Sequence, residues 1–422
     1  MKRLALLLSA VMWTLCGCDR HEQPTLSVWI MRPGNIAAAQ AFFDAESAGF
    51  ERTHPGIRVR VEFIPWLAAH DKLVTALAGD VPPDISELGS TWTAEFAAVG
   101  ALRDLDRLDH RLGGRSAFVP ALADAATLAD GHVYGIPWYA GTRALLYRKS
   151  VFARARLEPP RTLADLARDA RALSDPAQGT YGFALMGNNA PLFYPIVWEY
   201  GGDFAAPRDG VWHSQLAASD GARKALAYVH DLYRDHTAPQ GAITWSDLDG
   251  RSAFAQGTVA MTVTGSWALA SMFAEHPDVR ADVGIVPFPS SRANAGPVAF
   301  VGGSHLVVYK RSHRPDLAEA FIAALSRAQA QRRWATTVGF YPGRAALVRS
   351  TIPDGTTVLE SRVFADELLS GKSTPPAPGW GEVEGSATIP AMIQSVLSGQ
   401  ATESAAIAHA SAEIDAQLDP DL

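Results

Sequence analysis

The feature that most constrains how this chain folds is an alternation of two periodicities between residues 26 and 88. Leu26-Ser-Val-Trp-Ile30 alternates as a strand, and Ile57, Val59, Val61 and Phe63 alternate with Arg58, Arg60 and Glu62 in a second. Between them Phe43, Ser47 and Phe50 fall on one helical face, and His54-Pro55-Gly56 is a stop signal. His70, Leu73, Val74 and Leu77 give the next helix, ended by Gly79 and the Pro82-Pro83 turn before a short apolar strand at Ile85 to Leu88. Strand, helix, strand, helix, strand implies crossover connections. That order argues for a mostly parallel α/β layer with ligand sites at the carboxyl ends of its strands.

At 422 residues the chain is too long for one core of ordinary size, so two domains are expected. The middle is more helical: Thr162 with Asp165 three residues on reads as a helix start, and Asp220 precedes another at Leu226, Val229 and Tyr233. Strand-like runs return at Thr258 to Val263, Val283 to Val286 and His305 to Tyr309. From Pro315 the chain is again helical, and a Pro-rich loop, Thr374 to Pro378, precedes two closing helices. A return to strands after a helical middle fits two α/β lobes joined by more than one crossover.

Charge and cysteine usage exclude several functions. A formal net charge of −7 gives no general attraction to nucleic acid or to anionic membranes. The only cysteines are Cys16 and Cys18, so the folded body has no disulfide, thiolate zinc site or catalytic thiol. Lys2 and Arg3 precede the apolar run Leu4 to Leu15, which is too short to span a bilayer and has the layout of a secretory signal. It ends in Leu15-Cys16-Gly17-Cys18, which resembles the lipobox of bacterial lipoproteins. Residues 1–17 are then the signal, Cys18 the lipidated N-terminus and 18–25 a tether; two or more acyl chains would hold the body at a membrane.

The usual marks of zinc peptidases, serine hydrolases and dinucleotide-binding enzymes are missing. Gly371-Lys372-Ser373 lacks the glycine and the preceding strand that a phosphate loop needs. Acid pairs such as Asp104 with Asp106 and Glu382 with Glu384 could serve glycoside hydrolysis, but such pairs recur throughout a chain with 44 acids and are read as solvated loop or surface. No metal or cofactor is expected. Tryptophan is more informative: Trp92, Trp138, Trp245, Trp267 and Trp380 adjoin Gly, Pro, Ser or Thr and Trp198 lies three residues from Pro195 and Gly201, where the chain is expected to turn. A sugar presents an apolar C–H face that an indole covers and a hydroxyl rim that charged and amide groups pair with. Four stretches combine these types: Asp84 to Phe96, with Glu87, Thr91 and Trp92; Tyr134 to Arg143, with Trp138, Tyr139 and Arg143; Phe254 to Trp267; and Phe300 to His305, with Gly302, Gly303 and Ser304.

The same stretches resemble the extracellular solute-binding proteins of carbohydrate ABC transporters, the family that includes maltose- and trehalose-binding proteins. Phe50-Glu-Arg-Thr-His-Pro-Gly-Ile57, Pro83-Asp-Ile-Ser-Glu87, Tyr134-Gly-Ile-Pro137, Phe254 to Met261, Gly302-Gly-Ser304 and Leu397-Ser-Gly399 carry the likeness, which covers essentially the whole mature chain. The resemblance implies a type II two-lobe binding-protein fold closing on sugar by hinge motion. The lobes would comprise residues 26–138 with 303–345, and 139–302 with 346–422. It further implies a monomer that hands a small saccharide, most plausibly a maltose- or trehalose-type disaccharide, to an ABC permease. Glu87, Thr91, Trp92, Trp138, Tyr139, Arg143, Trp198, Trp245, Trp267, Gly302, Gly303, Ser304 and Trp380 are its expected ligand contacts. Two positions depart from the family pattern: Gly141 replaces an acid, and Thr374 an arginine. The competing expectations are a secreted glycoside hydrolase and a binding protein that serves a sensor.

Overall fold

The computed structural model describes residues 23–292, 298–353 and 355–418. Cys16, Cys18 and the apolar run before them lie outside the described residues. The strands are β1 (Thr25–Met31), β2 (Arg58–Ile64), β3 (Ile85–Gly89), β4 (Ile136–Arg148), β5 (Tyr181–Phe183), β6 (Ala205–Arg208), β7 (Val211–Ser214), β8 (Val259–Gly265), β9 (Val283–Val286), β10 (Val301–Val308) and β11 (Tyr341–Pro342).

The alternation at the start of the chain becomes a parallel sheet, with β1 beside β2 in register from Thr25 opposite Arg58 to Met31 opposite Ile64, and β3 on the other side of β1. The helix between β1 and β2, Ile36–Thr53, buries Phe42, Phe43, Ser47 and Phe50. Beyond β3 the pairing changes sense. β10 runs antiparallel to β3 and to β4, and β4 is antiparallel to β8, β9 and β11. Parallel neighbours recur at β5 and β8. β4 carries the chain outward and β10 carries it back, so these two strands must oppose each other.

β4 also divides the molecule. Its first half, Ile136 to Thr142, pairs with β10 and β11, and its second half, Arg143 to Arg148, pairs with β8 and β9. The fold is therefore the expected α/β arrangement of two lobes sharing crossing strands. One core gathers Val28, Phe43, Ile85, Trp138, Phe321 and Trp334 around the first sheet. Another gathers Phe183, Tyr194, Val229, Trp380, Ile393 and Ile414, so the C-terminal helices pack on the second lobe. A third, with Ala140, Leu146, Tyr341 and Phe364, lies along β4 itself.

Local signals perform unevenly. Thr162 caps its helix reciprocally with Asp165, Asp165 N–H to Thr162 Oγ1 at 3.0 Å and Thr162 N–H to Asp165 Oδ2 at 3.2 Å. Asp220 makes no such cap, because its carboxylate turns to Arg223 at 3.2 Å. The chain closes with three helices rather than two: Trp380–Gly385, Thr388–Leu397 and Glu403–Leu418.

Candidate functional site

β3 delivers the chain to the space between the lobes, but its Glu87 points inward. Glu87 has no exposed surface; its Oε2 accepts the Met31 N–H at 2.9 Å, and its Oε1 accepts the Ser304 hydroxyl at 2.7 Å and the Tyr139 phenol. Burial pushes its carboxyl up to about 7, against the opposing pull of these donors. Glu87, Tyr139 and Ser304 thus fasten β1, β3, β4 and β10 together where the lobes join. Gly303 permits that approach, since a Cβ there would lie 2.2 Å from the Tyr139 carbonyl oxygen, and Gly302 faces Gly141 across the strand pair.

Past β8, Trp267 lies flat. Its ring stacks on Phe340 at 4.9 Å and 13°, over the strand positions of Gly141 and Gly265, where a Cβ would come within 2.8 Å and 2.0 Å of the indole. The Arg143 guanidinium carbon sits 5.2 Å from this ring's centroid and 5.7 Å from that of Phe300. An inner cavity of about 400 Å³ opens beside it, lined by Arg143, Asn188, Asn189, Tyr194, Asp247 and Glu384 among others. Arg143 Nε and Asp247 Oδ1 are both buried without a hydrogen-bond partner, while Asp247 Oδ2 accepts from Arg251 at 2.9 Å. Burial holds the Arg143 pKa below its ordinary value.

A second cavity, about 530 Å³, lies between the lobes and shares Glu384 with the first. Trp66, His70, Asp71 and Trp92 line it from the first lobe, and Gly381, Glu382, Glu384, Gly385 and Ser386 from the second. Thr91 Oγ1 donates to Glu384 Oε2 across the gap at 2.9 Å. The Trp66 and Trp92 rings stand 5.7 Å apart, and His70 Nε2 meets the Glu95 carboxylate at 2.8 Å. Burial raises the Glu384 carboxyl to about 7, and the Thr91 hydroxyl opposes it.

Of the residues expected from sequence, Thr91, Trp92, Arg143 and Trp267 come together around these cavities. Three tryptophans do not. Trp138 is fully buried in the first core, stacked on Trp334 at 4.6 Å and 7°. Trp380 is fully buried beside Tyr194 and Phe204, at the start of the same helix that carries Glu384. Trp198 lies inside the helix Ala190–Glu199, with its Nε1 3.3 Å from Asp203. Half-buried Trp245 acts at one remove, its carbonyl accepting the Asn188 N–H at 3.0 Å. The expectation that all six sit at exposed turns is corrected for Trp138, Trp198 and Trp380.

Glu384, Asp247, Trp66, His70, Tyr194 and the asparagines were not singled out as ligand contacts by sequence. Glu384 was visible only as half of an acid pair read as surface. Two residues apart on a helix place the carboxylates on different faces, and Glu382 is exposed while Glu384 turns inward.

Residues 33–332 match the family model of bacterial extracellular solute-binding proteins. Among curated proteins the chain is similar to the diacetylchitobiose binding protein DasA of Streptomyces coelicolor, 27% identical over 377 residues covering 87% of this chain and 84% of that protein. Among solved structures it resembles the sugar-binding protein MalE of Xanthomonas citri, with TM-score 0.79 and 27% identity over 93% of this chain and 97% of that one. A solute-binding protein of Thermotoga lettingae, bound with α-D-tagatose, gives TM-score 0.76 at 26% identity, covering 94% and 100%.

Proposed function

The chain belongs to the bacterial extracellular solute-binding proteins, and from that premise we propose that it captures a small saccharide between its lobes and delivers it to an ABC permease. Relatives and fold are those of binding proteins rather than enzymes. The observation that carries the sugar reading is the inner cavity's pair of buried, unsatisfied groups. Arg143 Nε is a donor without an acceptor and Asp247 Oδ1 an acceptor without a donor, on one cavity wall set with Trp267 and Phe300 close by. A hydroxyl donates and accepts at once, so a sugar rim satisfies both while a ring face covers the apolar wall.

The ligand we infer is a maltose- or trehalose-type disaccharide, and we place it against Arg143, Asn189, Asp247, Trp267 and Glu384, with Thr91 and Trp92 at the closing edge. The lobes are assigned as residues 26–138 with 303–345 and 139–302 with 346–422, and the protein acts as a monomer outside the cytoplasm, tethered through Cys18. A thermal-shift series with mono- and disaccharides tests the binding, since a ligand of the folded state raises the melting temperature. No shift with any sugar, or sustained turnover of an aryl glycoside, overturns it. Cys18→Ala should release the protein from membranes, and retention after a salt wash would remove the anchor.

A further inference from the structure

The two cavities share one wall but differ in charge. The inner one sets the Arg143 guanidinium against Asp247 and two asparagine amides, a mixture suited to hydroxyls. Asp71, Glu382 and Glu384 line the outer one with Trp66 and Trp92, and its single basic side chain, His70, is taken by both Glu95 carboxylate oxygens at 2.8 and 3.0 Å. Lys72 turns away to Glu62, with its ammonium 4.4 Å from the Trp29 ring. The outer chamber therefore sets three carboxylates beside two aromatic faces, its donors being the Ser386 hydroxyl and the two indole N–H groups.

We propose that the outer chamber is a second ligand subsite for a sugar unit bearing a protonated amine, held by Glu384, Glu382 and Asp71 against Trp66 and Trp92. The inference rests on the sugar-binding reading above and adds the chemical class of the ligand's second unit. An alkylammonium is a donor-only group, which suits three carboxylates, and an indole face attracts it further. An acidic sugar would be repelled. Among the described residues no three carboxylate, imidazole or thiol groups are placed to hold a metal ion, so the acids suit an organic cation better than a divalent one. At about 530 Å³ the chamber has the size of a small-ligand pocket. Asp71 and Glu382 are exposed, so their share of the attraction is weakened by salt, whereas Glu384 lies deeper between the chambers.

Titration calorimetry on the mature chain at pH 8, where Glu384 is mostly ionised, should compare maltose and trehalose with their 6-amino-6-deoxy analogues and with the uncharged 6-acetamido analogues. At least one amine should bind tenfold or more tightly than both its parent and its acetamide. That ratio should fall in 1 M NaCl and in the double variant Asp71→Asn, Glu382→Gln, and reach about one in the triple variant that adds Glu384→Gln. Amines no tighter than their parents overturn the subsite while leaving the sugar reading in place, as does an advantage that survives the triple variant. If none of the sugars binds, the sugar reading itself fails and the subsite falls with it.

Discussion

The Glu87 carboxyl has no exposed surface and holds its proton to about 7, compared with 4.5 for an ordinary glutamate. Between those values the folded chain binds more protons than the unfolded one. The stabilisation this residue provides is therefore complete below pH 4.5 and lost as pH rises through 7. Glu87→Gln removes the dependence, so the wild-type advantage over the variant should shrink by up to about 3 kcal/mol between pH 4.5 and 8. Urea unfolding at several pH values reads this directly, and a pH-independent difference would show that the carboxyl does not titrate there. Trp138 makes the complementary point: buried on Trp334, its replacement by Ala should cost about 3–5 kcal/mol of stability, seen in the same unfolding curves. Sequence marked both residues as chemically interesting and misjudged where they point. A side chain's direction on β3 or β4 is set by pairing with β10, more than 150 residues away, as in the 217-residue separation of Glu87 from Ser304. Adjacency to turn-forming residues carries no such information. It succeeded for Trp92 and Trp267, where the chain really does leave a strand for a helix.

At the scale of elements, the short-range rhythm was legible and the crossing strands were not. The parallel trio β2-β1-β3 follows from local periodicity, because each strand and its helix are contiguous. The sequence marks Tyr134 to Arg143 only as a stretch of candidate contacts, yet β4 is one continuous strand of 13 residues serving both lobes. The departure from the family pattern at Gly141 finds its physical account here. A Cβ at that position would lie 2.8 Å from Trp267 Cζ3 and 2.9 Å from Phe340, so the stacked rings occupy the room a side chain would need. The platform under Arg143 depends on that flatness. Gly141→Ala should cost about 1–3 kcal/mol through overpacking and should lower sugar affinity with it, as the indole shifts from beneath the guanidinium. Calorimetric binding beside a melting curve checks both; unchanged affinity would separate the aromatic stack from ligand recognition.

At the scale of the whole molecule, the question is what holds two lobes together once a ligand is enclosed. Each lobe has its own core, and strands cross between them. One side-chain contact also bridges the lobes: Thr91, two residues past the end of β3, donates to Glu384 on the second lobe at 2.9 Å. On the reading proposed above, in which the lobes close on the sugar, this contact forms with closure and stabilises the closed form. Thr91→Val keeps the shape and removes the donor, leaving the Glu384 oxygen without it. The loss should be about 1–2 kcal/mol of the closed state, or roughly a five- to thirtyfold rise in the Kd for sugar. On that reading the open form lacks the bond, so the sugar-free protein should keep most of its stability. Distances between spin labels on the two lobes should show a larger open fraction at subsaturating sugar in the variant. Faster dissociation with little change in association completes the expected signature, since the bond forms after the ligand has entered. An unaltered dissociation rate would mean that the crossing strands alone set the closed geometry and that Thr91 only lines the cleft.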